Sequence, residues 1–264
     1  MKWLAISLLA AVAVAPGPTA AWDLRICANP DGAPYSQRDL GGFDNRIAQI
    51  VAEELGVEAV FEWMSDHRMR TAQRNLHAGR CDVVMGVMEG QQGFMTTHAY
   101  YRTTYVVVTH ADTPATASLD DPALAVMRIG LKGGGRTITP PGIGLVRRGL
   151  QRNLVNYDVG ARPGVAETEM LQALAEGTLD LAILWGPMAG MVAGDRDVAL
   201  LTPEIDIPFL PMFASISIGV RPRDEALRDA LNVALARRWE EVQAILEGAH
   251  VPLLSLPQPR LSER

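Results

Sequence analysis

The sequence predicts an α/β protein of two lobes, each a mostly parallel sheet with helices on both faces. Three observations predict it. The stretch Leu76-His-Ala-Gly-Arg-Cys-Asp82, followed by the apolar run Val83–Met88, recurs as Leu174-Ala-Glu-Gly-Thr-Leu-Asp180 followed by Leu181–Trp185. In both copies Leu belongs to the last turn of a helix and glycine (Gly79, Gly177) takes the left-handed position that ends it. Asp then opens a strand too continuously apolar to face water on one side. Strand-like and helix-like apolar periods alternate ahead of each copy, as in βαβ units. Finally, two β-rich runs, Thr104–Thr109 and Phe213–Val220, flank the second copy, as strands leaving one lobe and returning to it would. The expected division is a signal segment 1–21, a first lobe of 22–108 plus 212–264, and a second lobe of 109–211.

Met1-Lys2 precedes the apolar run Trp3–Ala15, which is shorter than the about 20 residues a helix needs to span a bilayer. Pro16-Gly17-Pro18 breaks the run, and Thr19-Ala20-Ala21 offers small residues for cleavage before Trp22. This is the pattern of a secretory signal peptide, which makes the expected destination the periplasm. In the first lobe, Leu24–Ala28 reads as a strand and Asn29–Tyr35 as a turn-rich loop. A helix follows over Phe43–Leu55, with Phe43, Ile47, Ile50, Val51 and Leu55 on one face and Gly56 as its stop. Glu58–Trp63 alternates as a strand, and a helix over Arg68–Ala78 leads into the first joint.

The second lobe repeats the layout. Val126–Leu131 is a strand, Gly133-Gly134-Gly135 a loop, and Pro140-Pro141 opens a helix where proline is tolerated. Leu154–Val159 is a strand, and Val165–Ala175 a helix with Ala166, Met170, Leu171 and Leu174 inward. Pro203–Pro211 reads as a crossing segment, Asp224–Glu247 as one long helix, and Pro252–Arg264 as a loosely docked tail.

A net charge of −6 and a pI near 5.4 argue against nucleic acid and anionic membrane surfaces as partners. No stretch is long enough for membrane insertion. Cys27 and Cys81 are the only cysteines. In an oxidising compartment they are either a disulfide, adding up to roughly 4 kcal/mol if their strands are neighbours, or two buried thiols.

Little in the chain points to catalysis. His67, His77, His98, His110 and His250 lack ligand spacing, so no metal is expected, and neither a catalytic residue nor a cofactor is assigned. There is no Gly-x-Ser-x-Gly. Glu89, just past a strand end, reads as a solvated or capping carboxylate before a catalytic base. Gly133–Gly135 with Lys132 and Arg136 could form an anion nest, although a plain glycine turn suits it better. The aromatics and methionines say more. Trp63, Met85, Met88, Met95, Tyr100, Tyr101, Tyr105 and Trp185 sit at strand ends or just beyond, where open α/β sheets face their ligand crevice. The expected cleft set is Asn29, Tyr35, Trp63, Met85, Gly86, Met88, Glu89, Tyr101, Arg136, Thr137 and Trp185.

Leu24–Pro30, Gly42-Phe43-Asp44, Gly79-x-x-Asp82 and Tyr100-Tyr101 resemble the type 2 periplasmic solute-binding proteins, near the amino-acid-binding branch of solute-binding family 3. The likeness implies that family's two-lobed fold. Its amino-acid grips are missing: Gly90 stands near the expected arginine, Trp185 at the expected acid, and Gly86 and Val87 near the expected hydroxyl residues. Ile26–Pro30, Gly79–Val87, Tyr100–Val106, Thr139–Gly142, Val146–Gly149 and Trp185-Gly186-Pro187 resemble a narrower group, MoxJ/XoxJ. That resemblance implies a non-enzymatic accessory of a PQQ-dependent methanol or alcohol dehydrogenase, with or without its cytochrome c. The competing expectation is a receptor that delivers a small solute to an ABC permease.

Overall fold

The computed structural model describes residues 22–64, 66, 68–109, 116–133, 139–158, 163–193, 198–202 and 212–259. The expected signal segment 1–21, His67, His110, Gly134–Gly135, Arg136, Thr137 and the expected crossing segment 203–211 lie outside the described residues. No described helix is long and apolar enough to cross a membrane.

The first sheet begins with β1 (Leu24–Ala28), followed by a short hairpin of β2 (Asp31–Gly32) and β3 (Ser36–Gln37). Helix α1 (Phe43–Glu54) buries Phe43, Ile47, Ala48 and Val51, the face its apolar spacing marks. Strand β4 (Ala59–Trp63), α2 (Met69–His77) and β5 (Val83–Met88) complete a parallel unit in the order β4-β1-β5. After β6 (Met95–Thr96), the nine-residue β7 (Tyr101–Thr109) crosses between the sheets. The second unit runs β8 (Ile129–Lys132), α3 (Pro140–Arg147), β9 (Leu154–Tyr157), α4 (Val165–Ala175) and β10 (Leu181–Trp185). Then come α5 (Gly186–Ala193), β11 (Val198–Leu200), β12 (Phe213–Val220), α6 (Glu225–Arg237) and α7 (Trp239–Gly248).

The strands follow the path β4-β1-β5-β12-β7-β10-β8-β9. Strands β8, β9 and β10 pair parallel, as β1, β4 and β5 do. The crossing strands are antiparallel. Tyr101–Thr104 of β7 pairs with β12, and Tyr105–Thr109 of the same strand pairs with β10. One strand therefore belongs to both sheets. The sheets carry separate cores: Ile26, Phe43, Ile47, Tyr100 and Ile216 in the first, Val107, Ile129, Leu145 and Ile183 in the second.

The repeated joint has the same physical content in both copies. Gly79 and Gly177 are left-handed, with φ of 69° and 67°. Each Asp accepts a forked pair from an arginine on the neighbouring strand or just ahead of it, Arg25 for Asp82 and Arg128 for Asp180. That arginine also donates to the carbonyl of the helix-ending glycine. Cys27 and Cys81 are joined as a disulfide, which decides between the two readings of the pair and ties the end of β1 to the approach of β5.

Several expectations change. The long C-terminal helix is two helices that turn at Arg238, whose side chain reaches back to Glu53 of α1. The turn lets both α6 and α7 pack on α1. The strand expected from Val126 begins at Ile129, because Pro122–Val126 is a 3-10 turn capped by the Asp121 side chain. Residues 186–193, given no element from sequence, form α5. Its Gly186 and Gly190 lie so close to Thr103 and the His250 carbonyl that a Cβ at either would overlap them. The described start of the tail is docked rather than loose. Leu254 N–H donates to the Arg102 carbonyl at 2.8 Å, and the Thr103 hydroxyl donates to the Pro252 carbonyl at 2.6 Å.

Candidate functional site

A cavity of about 640 Å³ opens where the ends of β1 and β5, the Asn29–Ser36 loop and the first turn of α1 face Lys132, Pro163, Trp185 and Met188. Its wall is mostly apolar: Phe61, Met64, Met69, Met85, Met88 and Ile216 join the aromatic residues Tyr35, Tyr101 and Trp185. Of the residues expected from sequence, Asn29, Tyr35, Met85, Gly86, Met88, Tyr101 and Trp185 line it. Trp63 and Glu89 are not in the lining. Trp63 stacks on Phe61 with Arg38 over its face, and Glu89 is exposed.

Local folding explains the placement. Gly42 caps α1 where a side chain would collide with the Tyr35 carbonyl, so glycine lets the Tyr35 loop lie directly on the helix start. Phe43 then packs against the Tyr35 ring with centroids 5.3 Å apart, and Tyr101 meets Phe43 edge-on at 6.0 Å. Across the cavity, Trp185 contacts the Tyr105 ring at 5.1 Å and also packs on the first-sheet core.

Two buried carboxyl groups stand beside this wall, and sequence reasoning picked out neither as a site residue. Asp44, only 5% exposed, takes a 2.7 Å hydrogen bond from the Tyr100 hydroxyl on Oδ1. That hydroxyl accepts from the Gly86 N–H at 3.2 Å. Burial pushes the Asp44 carboxyl up to about 7, against the lowering effect of the Tyr100 hydrogen bond. Glu167, 1% exposed in the first turn of α4, has Lys132 Nζ 3.1 Å from Oε1. With Thr139, Tyr105 and Trp185 it borders a second space of about 140 Å³ that shares Lys132 and Trp185 with the first. Burial also raises the Tyr35, Tyr100 and Tyr101 hydroxyls far above their ordinary range, so all three remain protonated donors.

Asp44 was visible in sequence only as part of Gly42-Phe43-Asp44. An acid in a helix's first turn ordinarily complements the helix dipole from the surface, so nothing in its spacing marks it as buried. Lys132 was seen, but as part of a glycine nest. Its partner Glu167 lies a helix away in sequence.

The geometry is that of a binding cleft, and the comparisons agree. Residues 24–247 match the bacterial extracellular solute-binding proteins, family 3. The chain is 28% identical over 247 residues to the protein MoxJ of Paracoccus denitrificans, covering 88% of this chain and 89% of that one. It is 32% identical to the periplasmic binding protein XoxJ of Methylobacterium extorquens AM1, with a TM-score of 0.69 over 88% of this chain and all of that crystal structure. MxaJ from Methlophaga aminisulfidivorans MPT shares the fold, with a TM-score of 0.74 at 23% identity, over 88% of this chain and 100% of that one. The chain therefore belongs to family 3 of the bacterial extracellular solute-binding proteins, as a periplasmic binding protein of the MoxJ/XoxJ type.

Proposed function

We propose that this protein is a non-enzymatic periplasmic accessory of a PQQ-dependent methanol or alcohol dehydrogenase. Its cleft receives a segment of that partner or an apolar ligand. One observation carries the reading: a chain similar to MoxJ and XoxJ over 88% of its length has an aromatic and methionine-lined cleft. By the family resemblance, Trp185 falls at, and Gly90 near, the positions from which amino-acid receptors hold their ligand's charges. A zwitterion buried in such a cleft would leave its charges poorly matched, at a cost of several kcal/mol. An apolar groove instead suits an amphipathic peptide or an apolar small molecule. Residues 1–21 direct export, and the lobes divide as 22–108 plus 212–264 and 109–211.

Affinity purification of the full chain from periplasm of methanol-grown cells tests this. The dehydrogenase, with or without its cytochrome c, should be recovered. Its absence across several growth conditions, with no effect of deletion on dehydrogenase activity, overturns the reading. The family match over residues 24–247 supports a second reading, a receptor for an ABC permease. Micromolar binding of a small polar solute would favour that one.

A further inference from the structure

We infer that the exposed face of α2, with Arg68, Arg70, Arg74 and Arg80, is a docking surface for an acidic segment of a partner protein. The inference takes the partner's role from the accessory reading and adds the chemistry by which this chain would hold it.

In a chain with a net charge of −6, residues 68–81 hold four arginines and no carboxylate. All four are exposed, and so is His77 among them. Arg70, Arg74 and His77 are spaced four and three residues apart, so they share one face of the helix. Arg68 caps its start, and Arg80 follows the Gly79 stop. From Arg68 to Arg80 the row extends roughly 18 Å at the helical rise.

Helix stability does not account for these side chains. Arg74 and His77 lie in the last turn, where a cation complements the helix dipole. Arg70 lies in the first turn, where it opposes the dipole, and that turn holds no acid. Arg70 and Arg74 also repel one another across one turn. Elsewhere exposed arginines such as Arg128 and Arg237 meet Asp180 and Glu54. Among the described residues none of Arg68, Arg70, Arg74 and Arg80 forms a salt bridge. The acids that flank the row in sequence are engaged by other groups. Asp66 accepts from the Arg68 backbone N–H and the Thr71 hydroxyl, and Asp82 from Arg25 and Arg221.

The backbone that carries the row is fixed. Thr71, Ala72 and Leu76 bury the opposite face of α2. Arg221 Nη1 donates to the carbonyls of Leu76 at 3.3 Å and Cys81 at 2.7 Å, and the disulfide ties Cys81 to Cys27. A helix held this way needs no ordering when a partner docks. Guanidinium forks suit carboxylates, which they grip by two bonds. The row is also continuous with the cleft, because Arg68 lines the cavity beside Met69 and Ala72. An acidic segment lying along α2 would bring its next residues to the apolar mouth. An anionic membrane is the poorer occupant: the excess of acid over the rest of the chain would be repelled by it.

Fluorescence anisotropy of labelled decaglutamate with the full chain tests the proposal, beside decalysine and phosphatidylglycerol vesicles. Decaglutamate should bind at low salt and weaken at least about tenfold at physiological ionic strength, as contacts between exposed charges do. Arg70→Glu with Arg74→Glu should lower that affinity at least about tenfold. Arg147→Glu with Arg152→Glu makes the same change of charge at exposed positions of the second unit and should leave it within about twofold. Arg70→Glu alone should not lower the melting temperature, because it reverses an unfavourable charge in the first turn. Hexanol, an apolar cleft probe, should bind the charge-reversed protein as it binds the parent. Equal losses in the two double variants, decalysine binding as tightly as decaglutamate, no decaglutamate binding at low salt, or vesicle binding without decaglutamate binding overturns the surface. The dehydrogenase gives a separate reading. Where the parent recovers it from periplasm, the Arg70→Glu, Arg74→Glu protein should recover at least about tenfold less. Equal recovery overturns the docking surface and leaves the accessory role standing. No recovery by the parent counts against the accessory role, and decaglutamate then decides the surface.

Discussion

The Asp82 carboxylate holds the Arg25 guanidinium by two side-chain bonds, Nε at 2.9 Å and Nη2 at 2.8 Å. It also accepts from the Arg25 backbone N–H at 3.2 Å and from Arg221 at 3.1 Å. Asp180 repeats the fork with Arg128 in the other unit, without the second arginine and with more exposure. Asp82→Ala should therefore destabilise the protein by about 2–3 kcal/mol and Asp180→Ala by about 1 kcal/mol or less, read as shifts of the urea midpoint. Equal effects would show that burial and the Arg221 contact add nothing.

The same pair sets an acid limb of stability. Burial would raise the Asp82 carboxyl, but hydrogen bonds from Arg25 and Arg221 hold it below the ordinary range, and Arg128 brings Asp180 down to about 2. For carboxyls lowered on folding, the stabilisation is complete above the unfolded pKa and disappears as pH falls through the folded one. Stability from these groups should be flat above about pH 5 and fall from about pH 4 toward 2. In Asp180→Asn the fall should be shallower, which urea titrations at stepped pH will measure.

Asp44 behaves oppositely. Its folded pKa is raised from 3.8 to about 7, so the folded state binds more protons across that interval and stability falls as pH rises through it. Asp44→Asn keeps an acceptor for Tyr100 and removes the buried charge. The variant should be more stable than the parent at pH 8, by as much as about 4 kcal/mol, and close to it below pH 4. Melting temperatures at pH 5 and pH 8 check the sign; a variant less stable at pH 8 than at pH 5 relative to the parent would contradict it.

Reducing the Cys27–Cys81 bond opens a loop of 54 residues. Loss of up to roughly 4 kcal/mol is expected for Cys27→Ser with Cys81→Ser, since the unfolded chain regains that loop's freedom. Urea unfolding with and without a reductant should reproduce the double variant's shift.

Gly42→Ala should cost about 3 kcal/mol or more, because its methyl meets the backbone carbonyl of Tyr35 and not a side chain that can swing away. The Tyr35 loop should move with it, so the variant should also bind cleft probes more weakly. Parental probe affinity in a folded Gly42→Ala protein would mean that the loop does not shape the cleft.

Much of this molecule was legible in its residues, for a physical reason. Helix stops at Gly79 and Gly177 and uninterrupted apolar strands such as Leu181–Trp185 are local signals. So were the aromatic and thioether side chains of the expected cleft, of which Tyr35, Met85, Met88, Tyr101 and Trp185 line the cavity. What escaped notice depends on distance. Asp44 looks like an ordinary helix-start acid until Tyr100 and Gly86 are brought to it, and Glu167 looks solvated until Lys132 faces it. Helix α5 was hidden because Gly186, Pro187 and Gly190 read as loop residues. Close packing against Thr103 and the His250 carbonyl overrides that local preference. The break at Arg238 carries no glycine or proline and follows from packing on α1.

Because β12 lies between β5 and β7, the sheet that begins at Leu24 stays unfinished until Val220 has been made. The strands of the second unit, by contrast, are contiguous in synthesis from Ile129 to Trp185. A nascent or freshly exported chain thus carries two bare strand edges that only a late segment can cover. Pairings so remote in sequence form slowly and leave such edges open to aggregation meanwhile. Refolding yield should therefore respond more to protein concentration than the size of the finished molecule would suggest.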